Sequence, residues 1–426
     1  MITKSVLKET WRKIDLSDFW NDQLVRPTEA ARQRPIDHIC TIPNLDTYHV
    51  VLVNGWTLKE LSDMQLPNGV VMCSINEAKK KYPELIEKYM GTAAVVENEC
   101  LNHNTTGSQD GLFVYVPKNV VIDKAIQIQS VINIEGRALI ELRNLIIVDK
   151  GAQLKVIHCD DSCNEQRSFS NNVTEIVVEE NAQAEYYKMH NLNNLSGLVN
   201  QTFVNMQRDS RMKMNCITLN GGHVCNHAEV RMHGENCDLN ADGLYLLDKE
   251  QICDNYIFVD HASPHCTSVE LYKGIMDDAA KASFNGHVLV SDGAVKTEAY
   301  QNNHNILLTD KAKVESKPFL EIYNDDVKCT HGSTIGQLDE QALFYLQTRG
   351  ITERTAKMML AYAFCDNVIK KIDIEELRIA LEDMVKKRLH GELSPCSECS
   401  KYAECAKCST PCNSTEAYFP IDPTKL

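Results

Sequence analysis

Short hydrophobic runs with period-two alternation dominate the middle of the chain, from about residue 95 to residue 330. Val, Ile, Leu, Tyr and Phe alternate there with polar residues, and small polar turns separate the runs. This pattern is typical of β-strands that bury one face. We therefore predict one long all-β region.

A local pattern recurs through this region: an acidic or polar turn, a small residue and a new alternating run. The residues that we take as equivalent are Ala152, Ala182, Arg211, Ala280, Ala294 and Ala312, with separations of 30, 29, 69, 14 and 18. Dividing the long gap at Cys237 and Gln251 gives 26, 14 and 29, which fits whole and half turns of a coil. Repeats of this size indicate a solenoid, and with strands alone the candidate is a β-helix. An ordinary sandwich with regular hairpins is the alternative.

The flanking segments change to helical periodicity. Residues 1–94 are predicted to form a mainly helical unit that contains a strand and turn at 48–56 and a helix over 76–90, ended by Gly91. Residues 95–333 form the predicted β-helix core. Residues 334–391 are predicted to hold three helices that close the open end of the coil, where unpaired strand edges would otherwise invite aggregation.

The second of these C-terminal helices can be capped by Thr352. Its predicted apolar face consists of Ala356, Met359, Leu360, Ala363 and Phe364.

The charge and composition of the chain limit which partners and which compartment we expect. The chain has 44 Lys and Arg against 59 Asp and Glu, a formal charge of -15, which disfavours nucleic acid and anionic membranes as partners. The N-terminus lacks a signal-peptide pattern and no segment is apolar enough for a membrane span, so we expect a cytoplasmic protein. In that compartment most of the 17 cysteines would stay reduced.

Sequence motifs of common enzymes are absent. The chain has no phosphate-binding G-x-x-x-x-G-K-[ST] motif, no dinucleotide fingerprint, no H-E-x-x-H and no G-x-S-x-G. We therefore do not expect the chain to hydrolyse ATP itself, to hold a dinucleotide through that fingerprint or to be a zinc or serine hydrolase of the common kinds.

Cys329 and His331 are the first candidate site. They stand two positions apart at the exit of the last predicted coil, so both side chains would leave the strand on the same side. Thiolate and imidazole are ligand types for iron in sulfide clusters, but a cluster usually needs four ligands. A second chain would have to supply the others. The alternative is structural: Cys329 fills the core and His331 caps a turn.

A second candidate is the segment HVCNH, in which His223, Cys225 and His227 would share one face of a strand and could hold a soft ion. Buried cysteine and hydrogen-bonded histidine are also common in β-stacks, and we favour that structural interpretation.

The tail from residue 392 to residue 426 is rich in cysteine. Five cysteines form two C-x-x-C pairs and a fifth thiol: Cys396, Cys399, Cys405, Cys408 and Cys412. Zinc or a small iron-sulfur cluster could be bound there, although the gap between the pairs is short for a zinc ribbon. A cluster-binding or zinc-binding protein that acts through this tail, an electron carrier for example, is one alternative function. A disordered tail is the structural alternative.

Another alternative function is a β-helix carbohydrate-active enzyme that uses Asp325 and Asp326 as acid and base. Adjacent residues on a strand point to opposite faces, so this pair could not easily flank one glycosidic bond.

Several blocks closely resemble the SufB/SufD family of the SUF iron-sulfur assembly system. They are HASPHCTSVELYKG (261–274), FNGHVLV (284–290), KTEAYQNNHNILLT (296–309) and the long block from Lys317 to Ile351. The similarity runs through about residues 200–390. The C-x-H-G variant at Cys329 looks like SufD, because Thr330 and Gly332 stand where SufB typically has glutamates.

The resemblance implies a right-handed parallel β-helix between helical terminal units. It also implies a scaffold complex with a SufB-like subunit, bound through the last coils, and a SufC-like ATPase, bound by the C-terminal helices around residues 336–372. An iron-sulfur cluster would be held transiently at the SufB/SufD interface, near Cys329 and His331. The isolated chain is expected to form a homodimer through the edge meant for SufB.

Overall fold

The structure, a computed structural model, describes residues 23–33, 42–58, 66, 69–96 and 98–389. The five tail cysteines lie outside these residues. None of the helices in the described part of the chain has the length and hydrophobicity that crossing a lipid bilayer requires.

Strands make up about half of the described chain. Their bounds are β1 (Thr47–Val53), β2 (Trp56–Leu58), β3 (Val71–Ser74), β4 (Leu112–Val116), β5 (Ala125–Ile132), β6 (Ala138–Val148), β7 (Gln153–Ser162), β8 (Ser168–Val178), β9 (Gln183–Asn191), β10 (Gly197–Met206), β11 (Arg211–Asn220), β12 (His223–Met232), β13 (Asp238–Leu247), β14 (Ile252–His261), β15 (Thr267–Met276), β16 (Lys281–Val290), β17 (Glu298–Leu307), β18 (Lys313–Ile322) and β19 (Lys328–Gly336).

From β4 onward the chain passes back and forth between two sheets, so that each coil contributes one strand to each sheet. One sheet has the order β19-β17-β15-β13-β11-β9-β7-β5-β1-β2, and the other β18-β16-β14-β12-β10-β8-β6-β4-β3. The pairs are parallel, apart from the antiparallel pairs β1-β2 and β3-β4 at the start. This order confirms the predicted parallel β-helix and excludes a sandwich built from hairpins.

The coil length agrees with the predicted period. Gln153 pairs with Gln183, 30 positions later, and Asp238 pairs with Thr267, 29 positions later. Two predicted equivalences were wrong. At the first, the buried corner residue is Ser210, whereas Arg211 is the exposed first residue of β11. At the second, Thr267 pairs with Glu298, so the corner residue before β17 is the buried Thr297 and not Ala294.

The corners between strands explain the recurring sequence pattern. The turn residues with a positive φ angle include Gly151, Asn181, Asp209 and Asn236. Glycine, asparagine and aspartate tolerate this left-handed conformation better than other residues. The residues that follow them are almost fully buried: Ala152, Ala182, Ser210 and Cys237. A small side chain is needed there because the corner has little space between stacked coils.

The interior of the coil holds a polar network as well as the main hydrophobic core. Lys188 Nζ lies 2.7 Å from Asp160 Oδ2, and His190 Nδ1 lies 2.9 Å from the same oxygen. Burial alone would raise the pKa of Asp160, but Lys188 and His190 outweigh it and hold the pKa well below its ordinary value. Asp160 is therefore ionised, and its negative charge is balanced by the neighbouring Lys188 and His190.

Helices cover parts of the outer faces of the sheets. A short 3₁₀-helix (Glu29–Gln33) precedes α1 (Ile75–Lys81), α2 (Pro83–Tyr89), α3 (Glu99–Gly107), α4 (Glu340–Thr348), α5 (Glu353–Ile369) and α6 (Glu375–Leu389). The single helix predicted over 76–90 is two helices, because Pro83 lacks the N–H that would continue the first one.

The C-terminal helices pack against the side of the coil. Val368 of α5 and Leu381 of α6 join a buried cluster with Ile217 and Leu244 on the outer face of the β1-to-β19 sheet. The expectation that these helices close the open end was wrong, since α5 and α6 bury their apolar residues against that sheet face. The end strands β18 and β19 each have one neighbouring strand in the described sheets.

The predicted apolar face of α5 was also partly wrong. Ala363 is exposed, and the buried residues of this helix are Ala356, Ala361, Cys365, Val368 and Ile369. The predicted Thr352 cap is confirmed, since its side chain accepts a hydrogen bond from the backbone N–H of Thr355.

Candidate functional site

Cys329 and His331 lie on β19, at the open end of the coil. Their register partners on β17 are Ala299 and Gln301, which are buried and face the coil interior. The side chains of Cys329 and His331 therefore face the interior side of the last coil, separated by roughly 6.6 Å along the strand. In the described sheets no further strand follows β19, so this side is uncovered.

The two side chains differ in exposure. Cys329 is half-buried and packs against an apolar cluster that includes Val288, Ala294 and Leu320, whereas His331 is exposed. Burial raises the pKa of Cys329, and a backbone hydrogen bond at Ala299 opposes this rise. Near neutral pH the thiol is therefore largely protonated and becomes a thiolate ligand when a metal displaces its proton.

Large apolar side chains are exposed on the two terminal strands. Phe319, Ile322 and Tyr323, in and just after β18, are exposed, and so is Ile335 on β19. Phe319 is 49% exposed and Tyr323 is 61% exposed, high values for large side chains of this type. The sequence reasoning missed these residues. The sequence shows apolar residues in the last two strands. It does not show that these residues are exposed, because that depends on where the C-terminal helices pack.

A short connection links this strand to the next helix. β19 ends at Gly336 and α4 begins at Glu340, so three residues separate them. Asp339 fixes the start of α4, because its carboxylate accepts hydrogen bonds from the backbone N–H groups of Gln341 at 2.8 Å and Ala342 at 3.2 Å. The start of α4 is therefore fixed three residues after the end of β19.

Two other sequence candidates have a different geometry from the one expected. Asp325 and Asp326 lie in the bend between β18 and β19, not on a strand, and Asp326 forms an ion pair with Lys296. In HVCNH, His227 is buried and bonded to Glu229 at 2.8 Å. The three residues of that segment therefore do not form one ligand set.

The described molecule is thus a parallel β-helix with a thiol and an imidazole at an uncovered end. Comparison with known proteins gives its class. Residues 131–364 match the family model described as "SUF system FeS cluster assembly, SufBD core domain", and residues 4–128 match "SufBD protein N-terminal region".

Curated relatives agree with this family. The chain is 28% identical to "Iron-sulfur cluster assembly protein SufD" of Escherichia coli over 389 residues, which cover 90% of this chain and 88% of the relative. It is 26% identical to the protein of the same name from Bacillus subtilis, over 78% of this chain and 76% of the relative. It is also 25% identical to "Protein ABCI7, chloroplastic" of Arabidopsis thaliana, over 90% of this chain and 84% of the relative. The chain belongs to the SufBD family of the SUF system, as the sequence blocks predicted.

Proposed function

We propose that the chain is a SufD-like scaffold subunit on which iron-sulfur clusters are assembled. The observation that supports this most is the position of Cys329 and His331 on a terminal strand that has a neighbouring strand on one side only, with exposed apolar residues on the same two end strands. The cluster is the cargo of this site. It is held transiently by one or two ligands of this chain and by ligands of a partner.

The partner at this end is a SufB-like subunit. The free edges of β18 and β19 offer backbone hydrogen-bonding groups, and the surrounding apolar residues offer area to bury. Two ligands from this chain leave a cluster incomplete, so the partner contributes the remaining ligands across the seam.

A SufC-like ATPase docks on the C-terminal helices. α4 has no buried residue, and its Phe344 and Tyr345 are 68% and 57% exposed. A groove of about 490 Å³ lies between α4, α5 and the coil, and Leu308, Leu343 and Met358 are among its lining residues. Because the chain lacks a phosphate-binding loop, ATP hydrolysis belongs to this partner.

The two docking surfaces are coupled by the three-residue connection. When the ATPase closes on nucleotide it pulls α4, and the pull reaches β19 without a flexible linker between them. The seam at Cys329 and His331 then opens to iron and sulfur. This is a two-state coupling between distinct sites.

This role places the protein in the cytoplasm, away from nucleic acid and membranes, in accord with its formal charge of -15.

The test is His331→Ala in the complete assembly with SufB-like and SufC-like partners, purified without oxygen. We expect unchanged amounts of the three subunits and a fall of at least about tenfold in iron and acid-labile sulfide per complex, because a ligand is missing. Cys329→Ala should act in the same way.

Thr330→Ala is the matched control. Thr330 lies between the two site residues on the same strand, and its side chain points to the other face of the sheet. A His331→Ala complex with the full content of iron and sulfide would remove His331 from the site.

A further inference from the structure

A second group of soft and hard metal-ligand atoms lies on the outer face of the other sheet, away from the open end. His223 and Cys225 belong to β12, and Asp254 belongs to the neighbouring strand β14. The ligand atoms of these three residues all lie within 4.8 Å of one another. His223 Nε2 is 2.9 Å from Asp254 Oδ2, and Cys225 Sγ is 3.9 Å from the same oxygen.

The sheet register produces this convergence. Cys225 pairs with Asp254 in the parallel ladder, so their side chains leave neighbouring strands side by side. His223 stands two positions before Cys225 and shares its face. On the next strand, Ser283 pairs with Asp254, and its hydroxyl donates a hydrogen bond of 2.5 Å to Asp254 Oδ1. The carboxylate is thus oriented from one side by serine and presents its other oxygen to the thiol and the imidazole.

The surroundings leave one side of the group open. Cys225 is 1% exposed and packs in an apolar cluster with Cys100, Phe169 and Val199. His223 and Asp254, in contrast, line a surface cavity of about 1060 Å³. A bound ion would therefore have the Cys225 sulfur on its buried side, and its remaining coordination position would be open to the cavity.

Apart from the proposed ligands, the charged residues that line this cavity are four cationic ones and two acidic ones: Arg167, Lys249, Lys281, Lys313, Glu250 and Glu315. This excess of positive charge near the open coordination position favours a small anion over a cationic ligand there.

We propose that His223, Cys225 and Asp254 bind one divalent transition-metal ion of borderline softness, such as Fe²⁺, Co²⁺ or Zn²⁺, with the fourth position open to water or a small anion. Thiolate and imidazole select such ions over Mg²⁺ and Ca²⁺, and three protein ligands with an open position are typical of reactive rather than purely structural metal sites. This site does not depend on the role proposed for Cys329 and His331.

Binding is an exchange of ligands and protons without electron transfer. The ion takes the place of the proton that His223 Nε2 shares with Asp254, and a neutral ring then carries its proton on Nδ1 after exchange with solvent. The Cys225 thiol releases its proton to solvent, and metal–nitrogen, metal–oxygen and metal–sulfur bonds form. The competing interpretation is structural: a His–Asp hydrogen bond on the sheet surface with a buried cysteine as filler. That arrangement would bind no ion.

The test is a Co²⁺ titration of the full-length chain, followed by its thiolate-to-cobalt charge-transfer absorption. The thiols proposed above as ligands at other sites are removed first, by replacing the five tail cysteines and Cys329 with serine. In this background we expect one Co²⁺ per chain and a charge-transfer band. Cys225→Ser should abolish the band, and His223→Gln and Asp254→Asn should each weaken binding by more than about 100-fold, beyond the 10–100-fold typical of outer-shell partners.

Two further variants sharpen the result. Ser283→Ala removes the residue that orients the carboxylate and should weaken Co²⁺ binding by about tenfold while the band remains. Cys163→Ser removes an exposed thiol elsewhere and should change neither the band nor the affinity.

The proposal is overturned if the background protein binds no Co²⁺, or if the charge-transfer band survives in Cys225→Ser. Circular dichroism confirms that each variant is folded. If Cys225→Ser does not fold, the Co²⁺ affinities of His223→Gln and Asp254→Asn test the site instead. These two residues line the cavity, so their substitution disturbs the packed core less. Unchanged affinity in both of them also overturns the site.

Discussion

Glu270 is a buried acid in the interior of the coil. It pairs in the ladder with Gln301, which in turn pairs with His331 on the last strand. Gln301 Nε2 donates a hydrogen bond of 2.7 Å to one carboxylate oxygen of Glu270. Burial raises the pKa of Glu270 to about 8. Glu270 is therefore largely protonated near neutral pH in the folded protein.

Glu270 should make folding stability depend on pH. Between its ordinary pKa of 4.5 and about 8, the folded state holds a proton that the unfolded state has lost, so stability falls as pH rises through this window. Glu270→Gln should remove the fall and stabilise the protein above it by up to ~3 kcal/mol.

Urea unfolding below, within and above this pH window measures the effect. The exposed Glu340→Gln serves as the control and should keep the wild-type pH profile. A Glu270→Gln profile parallel to that of the wild type would contradict the argument.

At the residue scale, the sequence predicted relations that depend on strand geometry alone. The shared side of Cys329 and His331 followed from their spacing of two. The contact between Cys225 and Asp254 was missed, although the two residues are 29 positions apart and one coil has about this length. The coils differ in length by a few residues, as the displaced corner at Ser210 shows. The residue pairs between neighbouring coils can therefore not be predicted until the strand register is known.

At the element scale, helix ends were easier to predict than helix faces. Thr352 caps α5 as expected because the capping bond is local. The buried face of α5 centres on Ala361 and Cys365. Small side chains are needed at these positions because the helix lies closest to the sheet there. Such a preference arises from tertiary packing and has no local signature.

Arg388 anchors the end of α6 to the coil. Its guanidinium bonds both carboxylate oxygens of Asp248, at 2.6 and 2.7 Å, and its Nε donates to the Leu219 carbonyl at 2.7 Å. Arg388→Ala leaves these acceptors largely buried and unpaired, so we expect a loss of about 3 kcal/mol and faster hydrogen exchange in α6.

Lys387→Ala is the control for this prediction. Lys387 forms an exposed ion pair with Asp383 one turn away, and its loss should change stability by less than about 0.5 kcal/mol. Equal exchange rates in the two variants would show that Arg388 is not the anchor.

At the scale of the whole molecule, the repeat predicted the solenoid, but the arrangement at its open end could not be derived. Hydrophobic periodicity reports that a helix has an apolar face and not which surface will cover it. The C-terminal helices lie along one sheet, and the last coil is left with exposed side chains such as Phe319 and Ile335.

This uncovered end should make the isolated chain pair with itself. Phe319→Lys combined with Ile335→Lys introduces charge into the contact and should raise the dimer dissociation constant by about 100-fold or more. Sedimentation equilibrium of the isolated chain measures the change.

Ile379→Lys is the control. Ile379 is equally large and 57% exposed, but it lies on α6, along the side of the coil. A chain that is monomeric before any substitution, or a dimer that resists the double variant, would contradict self-pairing through this end.

The antiparallel strands at the other end of the coil limit how far such association can go. β2 has only three residues. β3 has four, and its Cys73 packs in a buried cluster with residues of α1 and α2. Neither strand offers a long parallel edge to a second copy. If the open end pairs as predicted, stacking of coils between molecules should stop at a dimer and should not continue into filaments.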